Sequence, residues 1–371
     1  MSIFLNFIFF ICFNEIYAFH QSYHRNRDEA DSTVILTHVI FRHGNRTAEL
    51  TESYPKDPYY NYTYFPIGRG QLTNAGKNKE YELGRDLRRR YNEFLGQVYY
   101  PKIVDAVSTN RNRTKASLQL VLAGLFPPVD QEVWNFLLPW QPVPQNYYPD
   151  DRDPVLMGIN CPSYKKKYNE LVATRKWREE FNNQKPIFDY ISKNSGLNVT
   201  TYNDVYNLYF GLSTEEEFGQ KLPRWTNYVW PKIVTDFAIK QYFVDTATTE
   251  MLALAEGFHL KKIIQDTKQI AKNNEKHGVK IYLYSAHENN VAEMQILLNI
   301  FEPHVPNYGS YLIFEVHRIR GVVGIKLYYN NRDNRGLRLM KIPSCDEFCP
   351  LDQFERIFEE YLPSSQDICY Q

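Results

Sequence analysis

Apolar residues gather into three short, nearly unbroken runs along the chain, each handing over to a charged loop. Val34 to Phe41 (VILTHVIF) is β-branched and of strand length, and Arg42-His43-Gly44-Asn45-Arg46-Thr47 follows it. Ile103 to Val107 is the second run, ending in Ser108-Thr109-Asn110-Arg111-Asn112-Arg113-Thr114. Val279 to Tyr284 is the third, ending in Ser285-Ala286-His287-Glu288-Asn289-Asn290. Runs without polar alternation predict strands covered on both faces, as in a parallel sheet flanked by helices. Behind two of the loops the spacing turns helical, with Leu118, Val121, Leu122 and Leu125 stopped by Pro127-Pro128, and with Val291, Met294, Leu298 and Phe301. Another helix is predicted from Thr73 as N-cap, its buried stripe formed by Leu83, Leu87, Tyr91 and Phe94. Arg88, Arg89 and Arg90 are expected on its solvated face. His38, inside the first strand, is expected to be structural. The fold class is α/β, with a mainly parallel sheet covered by helices.

The N-terminus changes the picture by adding a compartment. Ile3 to Phe13 is an apolar run broken only by Asn6, shorter than the roughly 20 residues that a spanning helix needs. Polar Asn14 and Glu15 and the small residue Ala18 follow, so residues 1–18 read as a signal peptide and 19–31 as a polar leader. Four cysteines then remain, Cys161, Cys345, Cys349 and Cys369, an even number that suits two disulfides and leaves three pairings open. Cys345 and Cys349 are close enough to bridge locally, which would leave Cys161 for Cys369. No apolar stretch follows Cys369, so no membrane anchor is expected, and the sequons at Asn61 and Asn198 fit the secretory route.

Composition adds mainly exclusions. The chain has 371 residues, enough for one large domain or two that share a core, and its 43% hydrophobic content excludes disorder. Its 43 basic and 43 acidic residues cancel, which argues against a general nucleic-acid binder. A local basic site remains compatible with that balance. In open α/β sheets ligands bind beyond the carboxyl ends of the strands, where this chain carries Arg42, His43, Arg46, Arg113, His287 and Glu288. Helix N-termini present free N–H groups there too, and buried cations without partners are costly, so an anion should occupy the site.

Arg-His-Gly-x-Arg-Thr directly after a strand resembles the signature of the histidine acid phosphatases, and the likeness runs from about Thr33 to Cys369. Gly70-Gln71-Leu72-Thr73 with Tyr81-Glu82-Leu83-Gly84 is similar to the family's first helix, and Ser108-Thr109 with Arg113-Thr114 to its second arginine loop. Leu125 to Pro128 and Trp140-Gln141-Pro142 resemble the animal prostatic and lysosomal type, and Tyr284 to His287 the second catalytic histidine. Cys161-Pro162, Cys345 to Pro350 and Cys369 are similar to the family's disulfide framework.

The resemblance implies an α/β core, residues 32–135 and 255–371, with a smaller, mainly helical cap inserted at 136–254. It implies hydrolysis of small phosphate monoesters through a phosphohistidine on His43, with Arg42, Arg46, Arg113 and His287 on the phosphoryl group. Glu288 would protonate the leaving group, and neither metal nor other cofactor would be required. The family commonly forms homodimers, and with the signal peptide a secreted protein is expected, a lysosomal destination staying open. Arg111 is a competitor for the role given to Arg113.

Three positions depart from the family pattern. Glu288 stands where Asp is usual, Asn45 where Asp is common, and Ala48 where Pro often follows. These leave room for a second reading, a phosphatase-fold protein with weak or no catalysis that binds a small ligand. Asn45 and Asn112 are also formal sequons, expected to stay unmodified because their loops should fold inward.

Overall fold

The computed structural model describes residue 30, residues 32–273 and residues 278–370. The signal segment 1–18 and, apart from Ala30, the leader 19–31 lie outside the described residues.

The three apolar runs become neighbouring strands. β1 (Val34–Arg42), β2 (Val104–Ser108), β3 (Asn146–Tyr147), β4 (Ile281–Ala286), β5 (Tyr311–Ile319), β6 (Val322–Asn330), β7 (Arg338–Met340) and β8 (Cys349–Pro350) share one sheet. The order is β3-β2-β4-β1-β5-β6-β7, with β8 on β6. β4 lies between β2 and β1, parallel to both, and the register sets Ser285 beside Phe41 and also beside Ser108. All three charged loops therefore leave the sheet side by side. From β5 onward the pairing is antiparallel, a half that the search for apolar runs did not reveal. Arg320-Gly321 joins β5 to β6 with positive φ at both residues, the primed-turn geometry that suits a tight hairpin.

Helices cover both faces, which is why β1 does not alternate apolar with polar. Val39 and Phe41 pack with Leu83, Leu87, Leu118 and Leu122 from α1 (Asn74–Leu95) and α2 (Asn112–Leu125). Ile40 points to the other face. Thr73 caps α1, its hydroxyl accepting from Gly76 N at 3.1 Å. One expectation for α1 fails. Arg90 is buried, its Nε 2.6 Å from Glu315 and its guanidinium over Tyr328, because it continues the stripe of Leu83 and Leu87 at helical spacing.

Five helices between the sheet segments build a second layer: α3 (Pro162–Val172), α4 (Arg175–Asn183), α5 (Lys185–Ser195), α6 (Tyr202–Glu217) and α7 (Lys232–Asp245). Phe188, Ile191, Tyr202, Val205, Leu208 and Phe237 give it a hydrophobic core of its own. The chain returns through α8 (Thr249–Leu252), a π turn (Ala253–Gly257) and α9 (Phe258–Asn273) to β4. α10 (Glu288–Leu297) follows β4, and α11 (Leu351–Phe358) lies near the end. Cys161 is bonded to Cys369 and Cys345 to Cys349.

Candidate active site

The carboxyl ends of β1, β2 and β4 bring Arg46, Arg113, His287 and Glu288 to one cleft of about 830 Å³, roofed by α6, with Arg42 and His43 buried in contact with them. Arg42 closes β1, Arg113 stands in the first turn of α2, and His287 is the N-cap of α10. The loop after β1 lies directly on the start of α1. A Cβ on Gly44 would come within 2.5 Å of Gly76 O, and one on Gly76 within 2.1 Å of Asn45 O. Only glycines allow that approach.

His43 is buried, and its Nδ1 lies 2.9 Å from the Gly44 carbonyl oxygen. A carbonyl can only accept, so Nδ1 carries the proton and Nε2 the lone pair. Arg113 Nε donates to that Nε2 at 3.0 Å. Burial first, and then the charges of Arg113, Arg42 and Arg46, hold the His43 pKa well below the ordinary value. The imidazole therefore stays neutral in acid. The His287 ring meets it edge-on at 5.5 Å between centroids. Thr109 Oγ1 sits 3.0 Å from His287 Nε2 and is itself held by Thr114. Burial and Arg113 lower the His287 pKa to about 3, against the opposing pull of Glu288.

Each guanidinium is fixed by a different device. Arg42 donates from NH1 to the Pro306 carbonyl at 2.6 Å and lies 3.8 Å over the Tyr308 ring. Arg46 forms a two-pronged pair with Glu52 at 2.7 and 2.5 Å, and Arg113 NH1 reaches Glu49 at 2.6 Å. Donors remain: Arg42 Nε and NH2 and Arg46 Nε are buried without a hydrogen-bond partner. Glu288 Oε1 accepts from Tyr206 OH at 2.7 Å, and its Oε2 lies 3.3 Å from Arg42 Nε. Burial alone would raise the Glu288 pKa, but Arg42, His287 and the Tyr206 hydroxyl outweigh it and hold it at about 2. A neutral imidazole whose Nε2 lone pair meets Arg113, beside the unpartnered N–H groups of Arg42 and Arg46, is arranged to receive a tetrahedral anion.

Residues 33–340 match the histidine phosphatase superfamily (branch 2). The chain belongs to that superfamily. A venom acid phosphatase of Apis mellifera is 36% identical over 332 residues, covering 89% of this chain and 86% of that relative. The lysosomal acid phosphatase of Homo sapiens is 31% identical, covering 88% of this chain and 77% of the relative. Among solved structures, a phytase from Citrobacter braakii superposes with a TM-score of 0.64 at 15% identity, covering 91% of this chain and 99% of its own. That likeness shows the fold, and the relatives show a phosphatase enzyme.

The histidine phosphatase cleft gathers Arg42, His43, Arg46, Arg113, His287 and Glu288 as a set. Arg111 also lines the cleft, half-exposed and paired with Asp150 at 2.8 Å, whereas Arg113 is the arginine that touches His43. Sequence reading missed the acids Glu49 and Glu52, the rings of Tyr308 and Phe210, and Tyr206. Asn290 was missed too, and it fixes the turn after β4 by accepting from His287 N and donating to Glu256. A local cue existed only for Glu49 and Glu52, which closely follow Arg46. The expectation that both motif sequons fold inward holds for neither loop in full. Asn45 is half-buried with its Nδ2 on Glu217, while Asn112 is exposed, because α2 begins there and turns Arg113 to the cleft and Asn112 to solvent.

Proposed function

We propose that this chain is a secreted acid phosphatase that hydrolyses phosphate monoesters through a phosphohistidine on His43. The observation that carries the reading is the Nδ1–H bond to Gly44, which leaves Nε2 unprotonated and facing Arg113. Arg42, Arg46, Arg113 and His287 bind the phosphoryl oxygens, where charge is spread in the transition state. His43 Nε2 forms a bond to phosphorus as the ester P–O bond breaks, and Glu288 gives the leaving alkoxide its proton. Water then attacks phosphorus, loses its proton to the Glu288 carboxylate, and phosphate departs as His43 is restored.

Glu288 is ionised in the empty cleft, so its proton must arrive with the substrate. A monoester monoanion carries one, and its phosphate both competes for Arg42 and sets negative charge beside Glu288. Both effects raise the carboxyl's proton affinity. In this reading residues 32–135 and 255–371 form the catalytic core and 136–254 the cap. Residues 1–18 are removed on export, and exposed Asn61 and Asn198 carry glycans.

A ligand-binding protein of the same fold is the second reading, favoured by one observation. Arg42, Arg46 and Arg113 already have carboxylate neighbours in Glu288, Glu52 and Glu49. Hydrolysis of p-nitrophenyl phosphate from acid to neutral pH, beside His43→Ala, decides between them. The expected result is an acid optimum abolished in the variant, with an acid-labile phosphoprotein trapped only in the parent. Turnover equal to that of the variant would overturn the enzyme reading.

A further inference from the structure

Beyond the phosphoryl end the cleft changes sign. Asp245, the last residue of α7, and Glu293, on α10, line its wall. Glu293 is fully buried, its Oε2 has no hydrogen-bond partner, and its Oε1 receives only Asn289 Nδ2 at 3.4 Å. Asp245 Oδ1 accepts from Gln241 at 2.8 Å and stands 3.4 Å from the Tyr164 hydroxyl. No lysine or arginine is paired with either carboxyl among the described residues. The groups facing Glu293 are Asp245 from α7, Glu256 from the π turn, the Tyr164 hydroxyl from α3, and Glu288 and Asn289 from its own helix. Lys165, the cation on this wall, is exposed at the rim, where solvent screens it.

Two acids of this kind are costly unless a proton or a cation joins them. Burial raises both carboxyl pKas, so a proton does this in the empty cleft. The rings of Tyr164 and Tyr168, stacked 6.4 Å apart, line the same wall, and aromatic rings attract ammonium groups. Glu288 and Glu293 share one helix, and their separation along it is about 7.5 Å at 1.5 Å per residue. A leaving group bearing further phosphates would instead meet both acids.

We infer that the cleft is built for zwitterionic phosphomonoesters, whose phosphoryl group enters the arginine–histidine end while an amine or quaternary ammonium on the alcohol sits against Asp245, Glu293 and the tyrosine rings. The inference rests on the phosphatase reading of the site. Its test compares kcat/KM for phosphocholine with that for 3,3-dimethylbutyl phosphate, which replaces the ammonium nitrogen by carbon at the same shape. The expected preference for phosphocholine is about tenfold at pH 7. It is smaller at pH 5, where the carboxyls keep their protons and the cation must displace one. Asp245→Asn should bring the ratio of the two esters close to unity. Equal values for the two esters in the parent protein would overturn the inference, and so would a ratio unchanged by Asp245→Asn. Turnover of both esters without preference leaves the phosphatase reading standing. Absence of turnover with either ester and with p-nitrophenyl phosphate overturns that reading instead.

Discussion

His43 owes its usefulness in acid to its neighbours. An ordinary imidazole would be largely protonated at pH 5, and its lone pair would be lost. Here burial and three guanidinium groups make the imidazolium unfavourable, and the Gly44 carbonyl selects the tautomer. Glu288 is the counterpart, a buried carboxylate kept ionised by Arg42 and the Tyr206 hydroxyl. Its extra methylene relative to Asp is matched by its partners, since Tyr206 OH reaches Oε1 at 2.7 Å while Arg42 Nε lies 3.3 Å from Oε2. Glu288→Asp should shorten the reach to both. We expect a loss of about ten- to a hundredfold in kcat for alkyl phosphates, whose leaving groups need a proton. The loss should be smaller for p-nitrophenyl phosphate, whose leaving group departs as a stable phenolate. Parallel kinetics on the two esters check this, and a gain with Asp would show that Glu288 is misplaced in the native cleft.

At the scale of elements, the loop after β1 is held by contact with the first turn of α1. Gly76→Ala should force the loop off the helix, because the new Cβ would lie 2.1 Å from Asn45 O. Overpacking of this kind costs roughly 1–3 kcal/mol, and here it should also lower kcat, since Arg42, His43 and Arg46 ride on that loop. Urea unfolding and turnover measured together test it. Stability and kcat both unchanged would mean that the backbone yields freely. The three strand-to-loop junctions were legible because buried parallel strands leave continuous apolar runs, and each run ends where the charges begin. Arg90 was misread because three successive arginines suggest a wet face, whereas helical spacing sets the third beside Leu87 and over Tyr328. Tyr206 was invisible for a different reason. It lies 82 residues from Glu288 on α6, and no local pattern states that this helix will close over the cleft. The antiparallel half escaped for lack of a strong turn signal, since Arg320-Gly321 is an uncommon way to write a two-residue hairpin.

For the whole molecule, the buried titratable groups set how stability responds to pH, and two sets act in opposite directions. His38, His43, His259 and His287 have pKas lowered mainly by burial. Their contribution is complete above the unfolded histidine value near 6.5 and is lost as pH falls below it. Glu80, Glu256 and Glu293 have pKas raised well above the ordinary range by burial, and both Glu80 oxygens lack a partner, as suits a protonated carboxyl. Burial likewise moves Asp153 to about 6 and Glu215 to about 8. Their contribution is complete below the unfolded carboxyl value near 4 and is lost as pH rises through the folded values. Toward pH 8.5 the histidines are neutral in both states, so the carboxyls alone decide the slope there, and near pH 6.5 the histidines oppose it only in part. Each fully buried carboxyl still protonated in the fold then subtracts about 1.4 kcal/mol per pH unit. The melting temperature should therefore fall by several degrees from pH 6.5 to 8.5, with the flatter part of the curve on the acid side, where the two sets oppose each other. A melting temperature that is constant or rises over that interval would show that these carboxyls are already ionised in the folded protein.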